Sequence, residues 1–273
     1  MLHKMIRVLI ADDSAIARDV VRAGIKTHQS KRYFEIDVVP DGQQALDVLH
    51  KKQIDIAFID INMPGLSGPE VISAMKETKS NGCLAIAMSS DMNEKARAIF
   101  TEFGAYHFLK KPFHQEDVAG IVSSYITMTE GYPILIVDDS TTMRKLTRKI
   151  LENSRFNFDI SEADSAAAAL KMVSTGKFRI VLTDFHMPDV DGLELAGAIR
   201  DQSSKISIYM MSTNDTTYLE RSAAFIGITG FLKKPFTAQD IDTVMHKLLG
   251  LDDPNFGKVR DLFSFFERER KAS

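Results

Sequence analysis

Leu9-Ile10-Ala11-Asp12-Asp13-Ser14 decides the fold, because it returns later in the chain as Ile136-Val137-Asp138-Asp139-Ser140. Each copy is an apolar run that ends in two adjacent aspartates and a hydroxyl. Neither Val8-Leu9-Ile10 nor the later Ile56-Ala57-Phe58-Ile59 alternates with polar residues. Such runs suit strands covered on both faces, as the central strands of a parallel sheet are. The repeat extends well beyond this segment. Asp13, Asp60, Ser89 and Lys111 are matched by Asp139, Asp184, Ser212 and Lys234 at separations of 126, 124, 123 and 123 residues. A drift of three residues over a whole domain is what small loop-length changes between two copies of one fold produce.

Strand-like apolar runs alternate with amphipathic stretches throughout, the pattern of a parallel sheet wrapped by helices. In the first copy strands are expected near 6–11, 34–39, 54–60, 84–89 and 105–109. Helices are expected between them near 14–28, 42–52, 67–78, 93–103 and 115–128, with Ser14 and Asn93 as N-caps. In the second copy strands are expected near 133–138, 156–161, 180–184, 206–212 and 229–232. Its helices fall near 141–153, 165–175, 193–201, 216–225 and 238–249. The domains expected are 1–129 and 130–250, joined by the brief Thr129-Glu130-Gly131-Tyr132-Pro133. A third piece, 251–273, places Phe256, Val259, Leu262, Phe263 and Phe266 on one helical face. It reads either as a terminal helix packed on the second domain or as a docking helix for a partner or a second copy of the chain.

Composition narrows the class. The 273 residues suffice for two domains that each bury a core. A net charge of −3 gives no basic field to draw the chain onto nucleic acid. One cysteine, Cys83, excludes an intramolecular disulfide and fits a reducing compartment. No apolar run has the length of a signal peptide core or a membrane span, so a cytoplasmic protein without membrane contact is expected.

The chemistry lies in the repeated polar residues. In an open parallel sheet, ligands bind at the carboxyl ends of the strands, where the strand order reverses. Asp12, Asp13, Asp60, Ser89 and Lys111 are expected to converge there, and so are Asp138, Asp139, Asp184, Ser212 and Lys234. Crowded carboxylates repel unless a cation joins them, and an oxygen-rich cluster of this kind suits Mg²⁺. Asp60 or Asp184 could then act as a nucleophile towards an electrophilic phosphorus. Lys111 or Lys234 would neutralise charge on the transferring group, and Ser89 or Ser212 would bond one of its oxygens. Alone, each signal has an ordinary explanation: an Asp-Asp pair caps a helix, Lys-Pro sits in a loop, and Met-Pro-Gly turns. Ordered and duplicated, they make a site.

These segments resemble the receiver domain of bacterial response regulators. The resemblance rests on Leu9 to Ser14, Phe58-Ile59-Asp60-Ile61-Asn62-Met63-Pro64-Gly65-Leu66-Ser67-Gly68 and Leu109-Lys110-Lys111-Pro112-Phe113. The second copy adds Ile136 to Ser140, Thr183-Asp184-Phe185-His186-Met187-Pro188-Asp189-Val190-Asp191-Gly192 and Leu232-Lys233-Lys234-Pro235-Phe236. It covers about residues 5–250. It implies two flavodoxin-like, doubly wound, five-stranded parallel sheets in tandem, each taking phosphoryl from a histidine kinase or histidine phosphotransfer protein. By the resemblance Asp60 and Asp184 are phosphoacceptors. Mg²⁺ is bound by Asp12, Asp13 and Asp60 with the carbonyl of Asn62, and by Asp138, Asp139 and Asp184 with that of His186. Ser89 and Ser212 are switch hydroxyls. Phe108 and Phe231 are switch aromatics, expected to swing inward on phosphorylation. The side chain of His186 could alternatively act as metal ligand or base. Thr213, where the first copy has Ser90, is expected to hinder attacking water and lengthen the life of a phosphoryl group on Asp184.

No DNA-binding or enzymatic output segment is expected after residue 250. The reading preferred is a tandem response regulator, not itself an enzyme, that signals through protein–protein contacts to an unidentified target, homodimerisation included. Two alternatives stand beside it: a phosphoryl sink or relay, and the regulatory part of a longer enzyme such as a diguanylate cyclase.

Overall fold

The structure, a computed structural model, describes residues 5–28, 32–80, 82–91, 100, 102–188, 190–213 and 226–251. The chain forms two compact units, the first running to Thr127 and the second from Met128 to Gly250. Each holds one five-stranded, all-parallel sheet.

In the first unit the strands are β1 (Ile6–Ala11), β2 (Phe34–Val39), β3 (Ile56–Asp60), β4 (Leu84–Ser89) and β5 (His107–Lys110), in the order β2-β1-β3-β4-β5. In the second they are β6 (Tyr132–Val137), β7 (Phe158–Ala163), β8 (Ile180–Asp184), β9 (Ser207–Ser212) and β10 (Gly230–Lys233), in the order β7-β6-β8-β9-β10. The order reverses between β1 and β3 and between β6 and β8, so a crevice opens at their carboxyl ends. β3 and β4 are buried at every position, as their unbroken apolar runs require. Leu9, Ala57, Ile59, Ala87 and Phe108 contribute to one apolar cluster, and Leu135, Val181, Ile208, Met210 and Phe231 to another.

The helices follow local chemistry. Ser14 caps Ala15–Lys26 by accepting from the Ala17 N–H at 3.4 Å, and Ser140 caps Thr141–Glu152 in the same way through Met143. The helix expected over 67–78 is shorter: Gly68–Ala74 gives way to a 3₁₀ turn, Met75–Glu77, closed by the Thr78 hydroxyl on the Met75 carbonyl. Strand β7 begins two residues later than expected. Phe156 is buried against the His246 ring, and Asn157 donates its N–H to the Met128 carbonyl, so neither residue enters the strand. Strand β5 likewise starts at His107, after Tyr106 has paired with the Ala85 carbonyl.

The helices expected near 93–103 and 216–225, with the Asn93 cap, and the segment after Pro254 lie mainly or wholly outside the described residues. No helix among the described residues is long and apolar enough to cross a membrane.

Candidate functional site

The acids stand at the carboxyl ends of β1 and β3, Asp12 and Asp13 just after the one and Asp60 closing the other. Asp12 follows β1 and donates its N–H to the Val39 carbonyl, which keeps it in the sheet's register; its side chain is fully buried. One of its oxygens, Oδ1, accepts from the Ser14 N–H at 2.9 Å. Asp13 is exposed. Asp60, the last residue of β3, is 4% exposed. Lys111 follows β5, its N–H on the Ser89 carbonyl at 2.7 Å and its peptide bond to Pro112 cis. Its Nζ lies 2.8 Å from Asp12 Oδ2 and 3.0 Å from Asp60 Oδ1. Ser89 is buried, donates to the Asp91 carbonyl at 2.9 Å and accepts the Asp91 N–H at 3.1 Å.

The second copy reproduces this almost atom for atom. Asp138 Oδ1 accepts the Ser140 N–H at 2.9 Å, and the Lys234 N–H meets the Ser212 carbonyl at 2.7 Å before a cis bond to Pro235. Lys234 Nζ reaches Asp138 Oδ2 at 3.2 Å and Asp184 Oδ1 at 3.0 Å. The carboxylates of Asp12, Asp13 and Asp60 each offer an oxygen within 4.8 Å of the others, and so do those of Asp138, Asp139 and Asp184. The acids and lysines that the sequence singles out thus meet at each crevice.

The electrostatics are those of a site short of positive charge. Burial pushes the Asp60 carboxyl above its ordinary value; Lys111 and the Asn62 N–H oppose that shift, and the Asp12 charge adds to it. Burial would lower the Lys111 ammonium, but its bonds to Asp12 and Asp60 outweigh burial and raise it. Asp12 Oδ2 has the Lys111 ion pair yet no aligned hydrogen bond, which leaves a buried carboxylate oxygen under-satisfied. A hard divalent cation would relieve that condition. Three carboxylates plus waters form a donor set that suits Mg²⁺, so these residues fit it.

The copies differ at the margin. Asp184 is half-buried and accepts a second bond from the Phe185 N–H at 2.9 Å. The side chains of Asn62 and His186 are exposed; the His186 ring lies edge-on to Phe185 at 4.6 Å and is not in the acid cluster. Ser90 and Thr213 are both exposed. Phe108 and Phe231 are 6% and 7% exposed, Phe108 beside Phe100 at 6.2 Å. Both rings pack into the apolar clusters of their own sheets, Phe108 with Leu9 and Ala87 and Phe231 with Leu135 and Met210.

Sequence reasoning passed over two arginines. Arg18 Nη1 donates to the main-chain carbonyls of Asp12 and Asp13 at 2.6 and 3.0 Å, and Arg144 Nη1 to those of Asp138 and Asp139 at 2.7 and 3.2 Å. The two stand 126 residues apart, the offset of the aspartate pairs themselves. That signal was available in the repeat.

Comparison with known proteins agrees with this geometry. The family model for the response regulator receiver domain matches residues 8–123 and again 134–246. The chemotaxis protein CheY-3 of Vibrio cholerae serotype O1 is 32% identical over 123 residues, which is 44% of this chain and 94% of that protein. The chemotaxis protein CheY of Pseudomonas aeruginosa is 33% identical over 117 residues, 42% of this chain and 94% of that protein. A crystal structure described as a two-component system response regulator/GGDEF domain protein covers 90% of this chain and 98% of its own, at 24% identity and a TM-score of 0.54. That likeness concerns the fold.

Proposed function

The chain belongs to the response regulator receiver domain family, in two copies, and on that premise we propose that it accepts phosphoryl groups on Asp60 and Asp184. The donor is the phosphohistidine of a sensor histidine kinase or histidine phosphotransfer protein. A carboxylate oxygen of Asp60 attacks the phosphorus and a P–O bond forms; the P–N bond to the donor imidazole breaks, and the imidazole takes up a proton as it leaves. Asp12 and Asp13, with Asp60 and the Asn62 carbonyl, would hold Mg²⁺, which when bound neutralises charge on the phosphoryl oxygens. Asp138, Asp139, Asp184 and the His186 carbonyl are the matching set. Lys111 and Lys234 are in reach to donate to a phosphoryl oxygen.

Ser89 spends its hydroxyl on the Asp91 main chain, so donation to a phosphoryl oxygen requires that hydroxyl to turn away from the Asp91 carbonyl. Phe108 and Phe231 flank that movement from the core. The output is a change in protein–protein contacts with a downstream partner. The lysine bridge between two aspartates, made twice within 3.2 Å, is the observation that carries this reading.

Intact mass after incubation with Mg²⁺ and acetyl phosphate tests it. Two added phosphoryl groups on the wild type and one each on Asp60→Asn and Asp184→Asn are expected. No addition to any form would sink the proposal. Exposed Thr213 lies beside Ser212 where Ser90 lies beside Ser89, so the phosphoryl group on Asp184 should decay more slowly than that on Asp60. Thr213→Ser should remove the difference, and equal wild-type lifetimes would refute it.

A further inference from the structure

We propose that Arg18 and Arg144 are positioning residues for the cation-binding aspartates, and that the second copy, whose arginine is braced, binds Mg²⁺ more tightly than the first. The inference rests on the Mg²⁺ reading above.

A cation at a helix N-terminus is unfavourable, because the helix dipole already presents positive charge there. Yet both copies place an arginine on the fourth residue of the first helix and send its guanidinium back over that terminus. What it does there is hold two carbonyls. One nitrogen bridges the peptide oxygens of both adjacent aspartates, at 2.6 and 3.0 Å in one copy and 2.7 and 3.2 Å in the other. Those peptide planes carry the carboxylates, so fixing them limits where the carboxylates can point. Groups that orient metal ligands without touching the metal have measurable effects on affinity.

The copies part company behind the guanidinium. Arg144 Nη2 donates to Thr141 Oγ1 at 3.2 Å, and its Nε lies 3.3 Å from Glu162 Oε2. The other oxygen of Glu162 takes Arg148 Nε at 2.6 Å. The first copy has neither support. Register pairs Ile136 with Glu162 in the second sheet and Ile10 with Val38 in the first, so Val38 stands where Glu162 does. Ala15 stands where Thr141 does. Among the described residues Arg18 has no carboxylate partner.

Two effects of the brace have the same sign. Anchoring the guanidinium from behind lowers the cost of ordering the aspartate loop around a cation. Pairing it with Glu162 offsets a positive charge that otherwise stands beside the cation. The Arg144 and Glu162 side chains are 13% and 26% exposed, so water screens the pair less than it would a surface pair.

Mg²⁺ titration calorimetry on the full chain, one site disabled at a time, tests this. Asp13→Ala leaves the second site and Asp139→Ala the first; both residues are exposed, so either substitution spares the fold. The second site should be the tighter one. In the Asp13→Ala chain, Arg144→Met should weaken Mg²⁺ binding about tenfold and Glu162→Val about threefold, with Arg144→Lys between wild type and Arg144→Met. Melting in EDTA is the control: an arginine that only stabilised the fold would lower the melting temperature and leave the dissociation constant of the folded protein alone. Equal affinities at the two sites, or an unchanged constant in Arg144→Met and Glu162→Val, would overturn the inference while leaving the proposed function standing. Absence of Mg²⁺ binding in every form would overturn both.

Discussion

Lys111 stands between two buried carboxylates, and its removal exposes what it offsets. Lys111→Met would leave Asp12 and Asp60 facing each other without a cation, and loss of one partner from a shielded ion pair is costly. The first unit should lose about 2 kcal/mol in EDTA, less than a fully buried pair because Lys111 keeps some exposure. Saturating Mg²⁺ should restore most of that, as urea unfolding with and without the ion would show. A loss that Mg²⁺ does not reverse would mean that the lysine acts through packing alone. Asp60 gives a prediction of its own. Its carboxyl is held above the ordinary value, so the folded unit binds a proton that the unfolded chain has already released. Stability in EDTA therefore falls as pH rises from the unfolded carboxylate value through that of folded Asp60. Asp60→Asn should be more stable than wild type above that window and no more stable below it. A gain of the same size at every pH would refute the assignment. The acids and lysines were legible because each type has a narrow chemistry and each recurs in order. Arg18 and Arg144 recur as faithfully, but an arginine on a helix has so common a solvated role that its spacing was not weighed.

At the scale of the element, the helix start after the acceptor is fixed by a glycine. A Cβ on Gly68 would lie 2.3 Å from the Asp60 carbonyl oxygen, and one on Gly192 would lie 2.5 Å from that of Asp184. The helix starts that close because Gly68 and Gly192 return their N–H groups to the carbonyls of Ile61 and Phe185. Gly68→Ala must therefore displace the acceptor's own backbone, at a cost of about 2 kcal/mol or more. Mg²⁺ affinity at the first site should fall with it, while Gly65→Ala, in open space, should leave affinity unchanged despite its strained backbone. Calorimetry on both variants checks this; unaltered Mg²⁺ binding in Gly68→Ala would show that the loop absorbs the methyl. The central strands were legible for the reason that makes them central: unbroken apolar runs have no other place in a soluble fold. Edges were harder. β7 carries Asp159, Ser161 and Glu162, so its period is weak, and the apolar Phe156 before it is buried outside the ladder. The contact with His246, ninety residues on, and the bond from the Asn157 N–H to the Met128 carbonyl set that boundary.

For the molecule as a whole, duplication has an energetic consequence. Among the described residues each sheet closes its ladders within its own five strands, and the apolar clusters around Leu9 and around Leu135 are each drawn from one copy. An ion that binds only the folded form stabilises the unit that holds it, by about 2.7 kcal/mol at a hundredfold excess over its dissociation constant. Two acid sites on two units should therefore give two separate responses. Scanning calorimetry of the wild type should show two transitions, both raised by Mg²⁺. Asp13→Ala should abolish the shift of one transition and Asp139→Ala that of the other, with the double variant losing both. Both shifts lost together in a single variant, or one transition that moves as a block, would mean that the units unfold cooperatively and that occupancy of one site is felt at the other. Independent responses would mean that one chain carries two inputs that are charged separately, and the comparison then separates the effects of Arg18 and Arg144 within one molecule.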